Sequence, residues 1–464
     1  MRCAAHFLLV VERLANHIST EEHFQLRKSL ATAALCAAGI VSLDLPALAQ
    51  AGSPSKIDTG DTAFMLISAA LVMLMTPALA LFYGGMVRSK NVLGTMMQSF
   101  MAVGVVTVIW VLWGYSLAFG PDFHGFIGSL SWFGLLHVGV NPNPDYAPTI
   151  PQQTYMVYQM MFAIITPALI SGAIAERIKF SSFLIFITLW VTMVYCPIAH
   201  WVWGHGGWLG HLHALDFAGG TVVHISSGIS ALVLALMIGK RHREQDETMR
   251  PHNLTMTLIG TALLWFGWFG FNGGSALASG ALATSAFVAT HIAAAAAALS
   301  WMFIEWKVYG KPTALGAASG AVAGLVAITP ASGFVSPISA LIIGAGVSFA
   351  CFFAVSLKPR FGYDDTLDVF GVHCVGGTFG ALATGLFASV AINAAGQNGL
   401  FFGNPAQLGI QAIGVVATLA YASIMTFILG KIIDRTIGLR VSLGEELEGL
   451  DESQHGETGY VLEV

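Results

Sequence analysis

Long, nearly uncharged apolar runs occupy most of the chain between about residue 62 and residue 432. Each run is long enough to cross a hydrocarbon core of about 30 Å as an α-helix. The runs are continuous, whereas the strands of a transmembrane β-barrel alternate between apolar and polar residues. Only 10% of the residues are charged, against about 25% in soluble proteins. The sequence therefore predicts an all-α, polytopic membrane protein.

Eleven transmembrane helices can be placed in these runs. They cover residues 62–84, 92–119, 152–173, 180–201, 217–239, 253–275, 281–305, 313–329, 335–356, 366–389 and 407–432. The 52 glycines of the chain suit helices that pack closely in lipid, where small residues let two backbones approach.

The first fifty residues form a separate segment. Arg27 and Lys28 precede a short apolar run from Leu30 to Leu43, and the small-residue stretch PALAQA follows it. This order predicts a secretory signal peptide cleaved near residue 50, behind an unusually long N-terminal extension. A first transmembrane helix is the alternative, but Asp44 and Pro46 end the apolar run too early. Residues 51–435 are then the transmembrane domain and 436–464 a tail.

Lysine and arginine are distributed asymmetrically among the connections. After residue 60 they are Arg88, Lys90, Arg177, Lys179, Lys240, Arg241, Arg243, Arg250, Lys307, Lys311, Lys358, Arg360, Lys431, Arg435 and Arg440. All of them lie in the connection after an odd-numbered span or at the C-terminal end, and the alternate connections contain none. The positive-inside rule then places the N-terminus outside and the C-terminus in the cytoplasm. A cleaved signal peptide agrees with an outside N-terminus.

Two apolar, glycine-flanked segments each carry a histidine. His224 lies in DFAGGTVVHISSGISAL of the fifth span, and His373 lies in DVFGVHCVGGTFGAL of the tenth. The segments share an Asp, then a His, then small residues, and they are offset by five spans, an odd number, so their helices run in opposite directions. They therefore predict an inverted repeat of spans 1–5 and 6–10, with span 11 added. Such repeats place their functional site near the midplane.

The chemistry of two buried histidines suits a polar lumen. Burial disfavours imidazolium, and a neutral ring offers one donor and one acceptor nitrogen. A histidine that only satisfies a backbone carbonyl is the alternative for either residue. Asp216 and Asp368 precede the two histidines, and we expect each to cap its helix. A direct role for Asp216 in substrate binding is the other interpretation.

Four further histidines lie close together at the end of span 4 and in the connection that follows it. His200, His205, His211 and His213 could in principle bind Zn²⁺ or Cu²⁺. No carboxylate or cysteine spacing completes a metal site in the sequence. We therefore expect neither a metal nor a cofactor, and we expect no nucleic-acid partner.

From about residue 60 to the C-terminus, the chain resembles the ammonium transporter family (Amt, with relatives Mep and Rh). The motifs ALFYGGMVRSKNVLGTMMQ, AERIKFSSFLIF and WFGFNGGSA, together with the two histidine segments, carry the resemblance. Members of this family are homotrimers of eleven-helix protomers, each with its own hydrophobic pore. The resemblance implies a transporter and not an enzyme.

The resemblance also implies roles for individual residues. His224 and His373 match the twin pore histidines, and Phe162 and Phe271 match a gate of two stacked phenylalanines. The external ammonium site matches Trp203, Ser275 and Tyr158, with the carboxylate of Asp216 near it. Tyr158 departs from bacterial relatives, which often have Phe there; tyrosine keeps the π-face needed for a cation.

The function implied by the resemblance is ammonium uptake across the bacterial inner membrane. The ion would be recruited at the aromatic mouth, deprotonate, and pass as ammonia through the pore, with a separate proton pathway. A neutral channel for ammonia or carbon dioxide is one alternative, and a membrane ammonium sensor is another. An intramembrane enzyme is disfavoured because no nucleophile accompanies the histidines. The tail resembles the family's cytoplasmic C-terminal region, and a PII-type regulator (GlnK) is an expected partner.

Overall fold

The computed structural model describes residues 56–242 and 249–460. The predicted signal peptide lies outside the described residues. The apolar helices are α1 (Thr59–Met86), α2 (Ser89–Phe119), α3 (Gln152–Ile174), α4 (Phe180–His211), α5 (Gly220–Ile238), α6 (Leu254–Ala276), α7 (Ala281–Tyr309), α8 (Ala314–Ile328), α9 (Pro337–Phe361), α10 (Phe370–Phe387) and α11 (Pro405–Thr436).

The all-α, polytopic class predicted from the sequence is confirmed. Ten of these helices are long and apolar enough to cross a membrane. Helix α8 coincides with the predicted eighth span but has only 15 residues, about 22 Å at 1.5 Å per residue. Its residues from Gly320 to Ile328 are all buried. A helix enclosed in this way by protein need not match the full thickness of the lipid.

The connections and the tail hold the remaining elements. A small antiparallel hairpin joins β1 (Asp122–Phe123) to β2 (Ile127–Gly128). Short 3₁₀ segments follow at Leu130–Leu135 and Leu400–Phe402. After α11, the tail forms two short helices, α12 (Leu443–Glu448) and α13 (Leu450–His455).

The packing of the helices repeats between the two halves of the bundle. Helix α2 packs on α3 and α4, as α7 packs on α8 and α9. Helix α1 contacts α3 as α6 contacts α8, and α3 contacts α5 as α8 contacts α10. The most extensive contact between the halves joins α1 to α6. This correspondence is what an inverted repeat of helices 1–5 and 6–10 requires.

Helices α5 and α10 run in opposite directions. The Arg177 side chain donates hydrogen bonds to the Gly239 carbonyl, at the end of α5 (2.9 Å), and to the Asp364 carbonyl, before α10 (2.5 Å). At the other face, Gln411 of α11 accepts from the Leu215 amide before α5 and donates to the Ala381 carbonyl in the second half of α10. The end of one helix therefore lies beside the start of the other.

Ion pairs gather on one face of the bundle, called here the basic face and defined by Arg88, Arg177, Arg241, Lys358 and Arg440. Arg241 contacts the carboxylates of Glu176 (3.2 Å) and Asp364 (2.9 Å) and thus connects the ends of α3 and α5 to the start of α10. Burial alone would raise the pKa of Asp364, but hydrogen bonds and charge from Arg241 lower it to about 2. The face predicted to be cytoplasmic is therefore an ordered network.

The tail packs on this basic face. Arg440 pairs with buried Glu446 (2.7 Å) and donates to the Ile238 carbonyl at the end of α5 (2.9 Å). The carboxylate of Asp451 accepts from the amides of Leu93 (3.0 Å) and Gly94 (2.8 Å), which lie where the α-helical part of α2 begins at Val92, after the 3₁₀ turn Ser89–Asn91. The tail is thus held by caps and ion pairs.

Candidate functional site

Two buried histidines meet in the middle of the bundle. The Nδ1 atoms of His224 and His373 lie 3.3 Å apart, and their rings are 5.3 Å apart and tilted by 25°. Only 1% of His224 and 4% of His373 is exposed. Because two Nδ1 atoms face each other, one must carry hydrogen and the other must accept it. The two Nε2 atoms then differ, one a donor and one an acceptor.

Local backbone geometry brings the histidines together. Each lies in a π-helical turn, Gly220–Ile225 for His224 and Phe370–Cys374 for His373. Such turns interrupt the α-helical ladder and are frequent at functional sites. The glycine four residues after each histidine faces the other helix. A Cβ on Gly228 would lie 2.3 Å from the Cys374 amide, and a Cβ on Gly377 would lie 3.0 Å from the His224 Cβ.

The other side of His224 faces a narrow apolar cavity. Trp268 stacks on the imidazole at 5.4 Å and 21°, and Phe271 lies at 6.1 Å. The His224 Nε2 has no hydrogen-bond partner among the described residues. The volume of the cavity, measured as the space open to the centre of a water molecule, is about 10 Å³. This is roughly what one water or ammonia molecule requires. It is lined by both histidines and by apolar side chains.

Two phenylalanines close this cavity. Phe162 of α3 and Phe271 of α6 stack with ring centroids 4.2 Å apart and planes tilted by 30°. Both are buried. Phe271 lines the cavity next to the histidines, and Phe162 lines a second cavity on the opposite face from the tail. The stacked pair therefore separates the two compartments.

The second cavity, called here the outer vestibule, is wider and more polar. Its volume, measured as the space open to the centre of a water molecule, is about 180 Å³. It is lined by Asp145, Tyr146, Tyr155, Gln159, Phe162, Trp203, Phe217, Ser275 and Leu277. Trp203 is held by a hydrogen bond from its indole to the Asp216 carbonyl (2.8 Å) and lies 6.0 Å from Phe162 in an edge-on arrangement. The structure thus brings predicted residues Trp203, Ser275 and Phe162 together.

Tyr158 lies behind the wall of the outer vestibule and does not line it. Its hydroxyl is within hydrogen-bond distance of the carbonyls of Gly270 (3.0 Å) and Phe271 (2.8 Å) and of the Ser275 hydroxyl (3.2 Å). Its ring is fully buried and packs edge-on against Phe162 at 5.0 Å. In this position the Tyr158 hydroxyl holds Phe271 and Ser275 in place.

Asp216 caps the histidine turn of α5. Its carboxylate accepts from the amides of Gly219 (2.8 Å), Gly220 (2.6 Å) and Thr221 (2.8 Å) and from the Thr221 hydroxyl. These are the amides that a helix start leaves unpaired. With both oxygens used, the carboxylate supports the helix bearing His224, and its backbone carbonyl supports Trp203.

A third cavity continues beyond the histidines toward the basic face. His373 and Asp368 line this cavity together with mostly apolar residues. Its volume, measured in the same way, is about 50 Å³. Asp368 pairs with Lys358 (2.5 Å). The carboxylate that accepts from the first amide of α10, Phe370, is that of Asp365 (2.7 Å). The expectation that Asp368 caps α10 is therefore corrected, because Asp365 occupies that position and Asp368 faces the cavity.

The four histidines of the outer connection do not form a cluster in the structure. His200 is buried, with its ring nitrogens 2.9 Å from the Ala118 carbonyl and 2.8 Å from an Asp122 carboxylate oxygen. His205, His211 and His213 are exposed. Within residues 56–242 and 249–460, no three His, Cys, Asp or Glu side chains converge as a metal site.

Some residues of the site were not singled out from the sequence. Trp268, three residues before Phe271, stacks on His224, and Gln159, three residues before Phe162, lines the outer vestibule. Helical spacing from the two gate residues could have indicated both, since residues three apart share a helix face. Asp145 and Tyr146 lie in a long connection, whose path the sequence does not predict.

Comparisons with known proteins agree with this geometry. Residues 63–460 match the sequence model of the Ammonium Transporter Family. The chain is 54% identical over 402 residues to an ammonium transporter of Bacillus subtilis, covering 86% of this chain and 98% of that one. It is 48% identical to the ammonium transporter Amt1 of Archaeoglobus fulgidus, covering 86% and 99%.

Solved structures give the same result. The crystal structure of Saccharomyces cerevisiae Mep2 superposes with a TM-score of 0.79 at 38% identity, covering 84% of this chain and 89% of that one. A structure described as a sensor Amt protein superposes with a TM-score of 0.78 at 28% identity, covering 85% and 98%. The chain therefore belongs to the ammonium transporter family.

Proposed function

We propose that the protein takes up ammonium by recruiting the ion in the outer vestibule and conducting ammonia past the phenylalanine pair and the two histidines. The observation that carries the proposal is the series of three cavities. Phe162 and Phe271 separate the outer vestibule from the apolar cavity beside the histidines, and His373 lines both that apolar cavity and the cavity toward the basic face. The series links one face of the bundle to the other.

Recruitment rests on the chemistry of the outer vestibule. The Trp203 and Phe162 rings offer π-faces, and a cation over such a ring gains about 0.5–2 kcal/mol as it loses water. The Ser275 hydroxyl donates to the Phe271 carbonyl (2.9 Å) and contacts the Tyr158 hydroxyl (3.2 Å), which leaves its oxygen one lone pair to accept from an ammonium N–H.

Deprotonation follows from the energy of the next step. Moving a bare ion into the apolar cavity beyond Phe271 would cost on the order of tens of kcal/mol, and the lining offers no counter-charge. Neutral ammonia avoids this cost, and desolvation favours the neutral form. Potassium has no proton to lose and is excluded on the same ground.

The histidine pair then provides hydrogen bonds inside the pore. One Nε2 donates and the other accepts, so ammonia can be bound without charging either ring. The Nδ1–Nδ1 contact provides a route by which a proton can pass between the rings. We propose that the proton crosses separately from ammonia, so that uptake carries net charge.

The decisive experiment measures ammonium-evoked current in proteoliposomes, with K⁺ pulses as the control. An electrogenic transporter gives a current with ammonium and none with K⁺. A neutral gas channel, the second candidate, gives internal alkalinisation on an ammonium pulse with no current. Absence of both signals from correctly inserted protein would overturn the proposal.

We propose further that the protein works as a homotrimer in the bacterial inner membrane, with its N-terminus periplasmic after signal cleavage. The family resemblance and the basic face support this arrangement. Native mass spectrometry tests the trimer, and N-terminal sequencing of the purified protein should place the mature start near residue 51.

We also propose that a PII-type regulator binds the basic face and the tail. Co-purification of the two proteins tests this.

A further inference from the structure

Gln159 occupies an unusual position in the outer vestibule. It lies on α3, one turn before Phe162, and its side chain lines the cavity although only 8% of the residue is exposed. Its Nε2 faces the Tyr155 hydroxyl at 3.4 Å. Its Oε1 has no hydrogen-bond partner among the described residues. Buried carbonyl oxygens are normally paired, so this one is available for a ligand.

We propose that Gln159 and Asp145 form a cation subsite in the outer vestibule, which adds to the contacts of Trp203 and Ser275 with ammonium or methylammonium. The inference rests on the proposed function and deepens it. Ammonium carries four N–H donors, and each needs an acceptor as water is shed. Ser275 offers one oxygen, and the Gln159 carbonyl offers a second on the opposite helix.

Asp145 supplies charge to this position. It lies in the connection before α3, its side chain is exposed, and it lines the same cavity as Gln159. Its amide donates to the Asn143 side chain (3.1 Å), which fixes the turn that carries it. Among residues 56–242 and 249–460, no lysine or arginine lines the vestibule. A single negative charge at the mouth of a cleft raises the local concentration of cations.

Two tyrosines hold Gln159 in place. The rings of Tyr146 and Tyr155 stack at 5.1 Å with a 20° tilt, and both line the vestibule. The Tyr146 hydroxyl donates to the Phe119 carbonyl at 2.7 Å and anchors the pair to α2. The Tyr155 hydroxyl of this stack lies 3.4 Å from the Gln159 Nε2, which leaves Oε1 as the Gln159 atom without a partner among the described residues.

The test is the concentration dependence of ammonium-evoked current in proteoliposomes. Replacement of Gln159 by Leu removes the oxygen at similar volume and should raise the half-saturating ammonium concentration roughly tenfold or more, as expected for the loss of one hydrogen bond to a charged ligand. Replacement of Gln159 by Glu adds charge and should lower it. Maximal current at saturating ammonium should change little in either.

Gln153→Leu is the matched control. Gln153 lies on the same helix, but its amide donates to the Val138 carbonyl (3.2 Å) and its side chain does not line the vestibule. The half-saturating ammonium concentration of Gln153→Leu should equal that of the wild type.

Asp145→Asn should raise the half-saturating ammonium concentration and weaken its dependence on ionic strength, and Asp145→Glu should restore both.

The outcomes separate the subsite from the transport function. If the wild type gives no ammonium-evoked current, the proposed electrogenic function fails. If the wild type gives current but Gln159→Leu leaves the half-saturating concentration unchanged, the subsite is overturned, and the oxygen binds only water. An unchanged value would also result if the amide nitrogen faced the cavity, which equally contradicts the proposal.

Discussion

The Nδ1 atoms of His224 and His373 face each other at 3.3 Å, so the two rings share a single hydrogen between them. This relationship makes the pair asymmetric at any instant, although the two helices are related by the repeat. The pore side of the pair then offers one donor and one acceptor. That is the arrangement a neutral, polar molecule such as ammonia requires.

Replacing either histidine by alanine should remove this arrangement. We expect His224→Ala and His373→Ala each to reduce ammonium-evoked current at least tenfold, or to admit K⁺ through a widened and hydrated cavity. The measurement is current in proteoliposomes with ammonium and K⁺ pulses. Exposed His211 provides the control, and His211→Ala should behave as the wild type. Normal current and unchanged selectivity in both pore variants would contradict the proposed mechanism.

The two gate phenylalanines should not be equivalent. Phe271 contacts Phe162 at 4.2 Å and also lies against His224 and Trp268. Phe271→Ala should therefore destabilise the protein by about 3–5 kcal/mol and impair transport more than Phe162→Ala. Thermal unfolding in detergent and initial transport rates test the order. A larger defect for Phe162→Ala would show that the outer ring governs passage.

Asp216 should act through structure and not by binding ammonium. Its carboxylate accepts from three amides and one hydroxyl at the start of α5. Asp216→Ala should lower the melting temperature in detergent, since losing a cap costs about 0.5–2 kcal/mol, and Asp216→Asn should lower it less. If Asp216→Asn instead raised the half-saturating ammonium concentration with no change in melting temperature, a direct ligand role would be indicated.

Asp365 makes stability depend on pH. Burial and the nearby charge of Asp368 raise the pKa of Asp365 to about 6, above the value near 4 of an exposed carboxyl. The folded protein therefore binds more protons than the unfolded chain between about pH 4 and 6. Stability due to Asp365 is present below pH 4 and is lost as the pH rises through 6.

The variant Asp365→Asn tests this dependence. It keeps an acceptor for the Phe370 amide and removes the charge, so above pH 6 it should melt higher than the wild type, with the difference vanishing toward pH 4. Asp364→Asn is the matched comparison. Arg241 holds the pKa of Asp364 at about 2, so removing that charge should destabilise at neutral pH. Parallel melting curves for wild type and Asp365→Asn across pH 4–8 would contradict the expectation.

The tail should be released by a single change. Asp451 accepts from the amides of Leu93 and Gly94, and burial raises its pKa. Asp451→Ala removes the acceptor and leaves two helix-start donors unpaired, so the tail should become more sensitive to proteolysis than in the wild type. Limited digestion followed by mass spectrometry measures this. Equal cleavage rates would show that the other contacts of the tail, among them Arg440 with Glu446 and the Leu450 amide with Asn91, hold it without Asp451.

The apolar runs by themselves determined the fold class, because in lipid every backbone group must be paired, within a helix or around a closed barrel, and continuous apolar runs fit only the helix. The spacing of the runs also placed each helix, and the similarity of the two histidine segments indicated the repeat. These properties are local or periodic along the chain, so one sequence is enough to predict them. The short α8 was located correctly for the same reason.

Only the tertiary structure decided which polar groups face a cavity. Asp216 and Asp365 point into helix starts, while Asp368 points into the pore, although all three precede a histidine in the sequence. The Tyr158 hydroxyl lies against α6, whereas the side chain of neighbouring Gln159 lines the outer vestibule. Side-chain direction depends on contacts between distant helices, and a sequence read in order cannot supply those contacts.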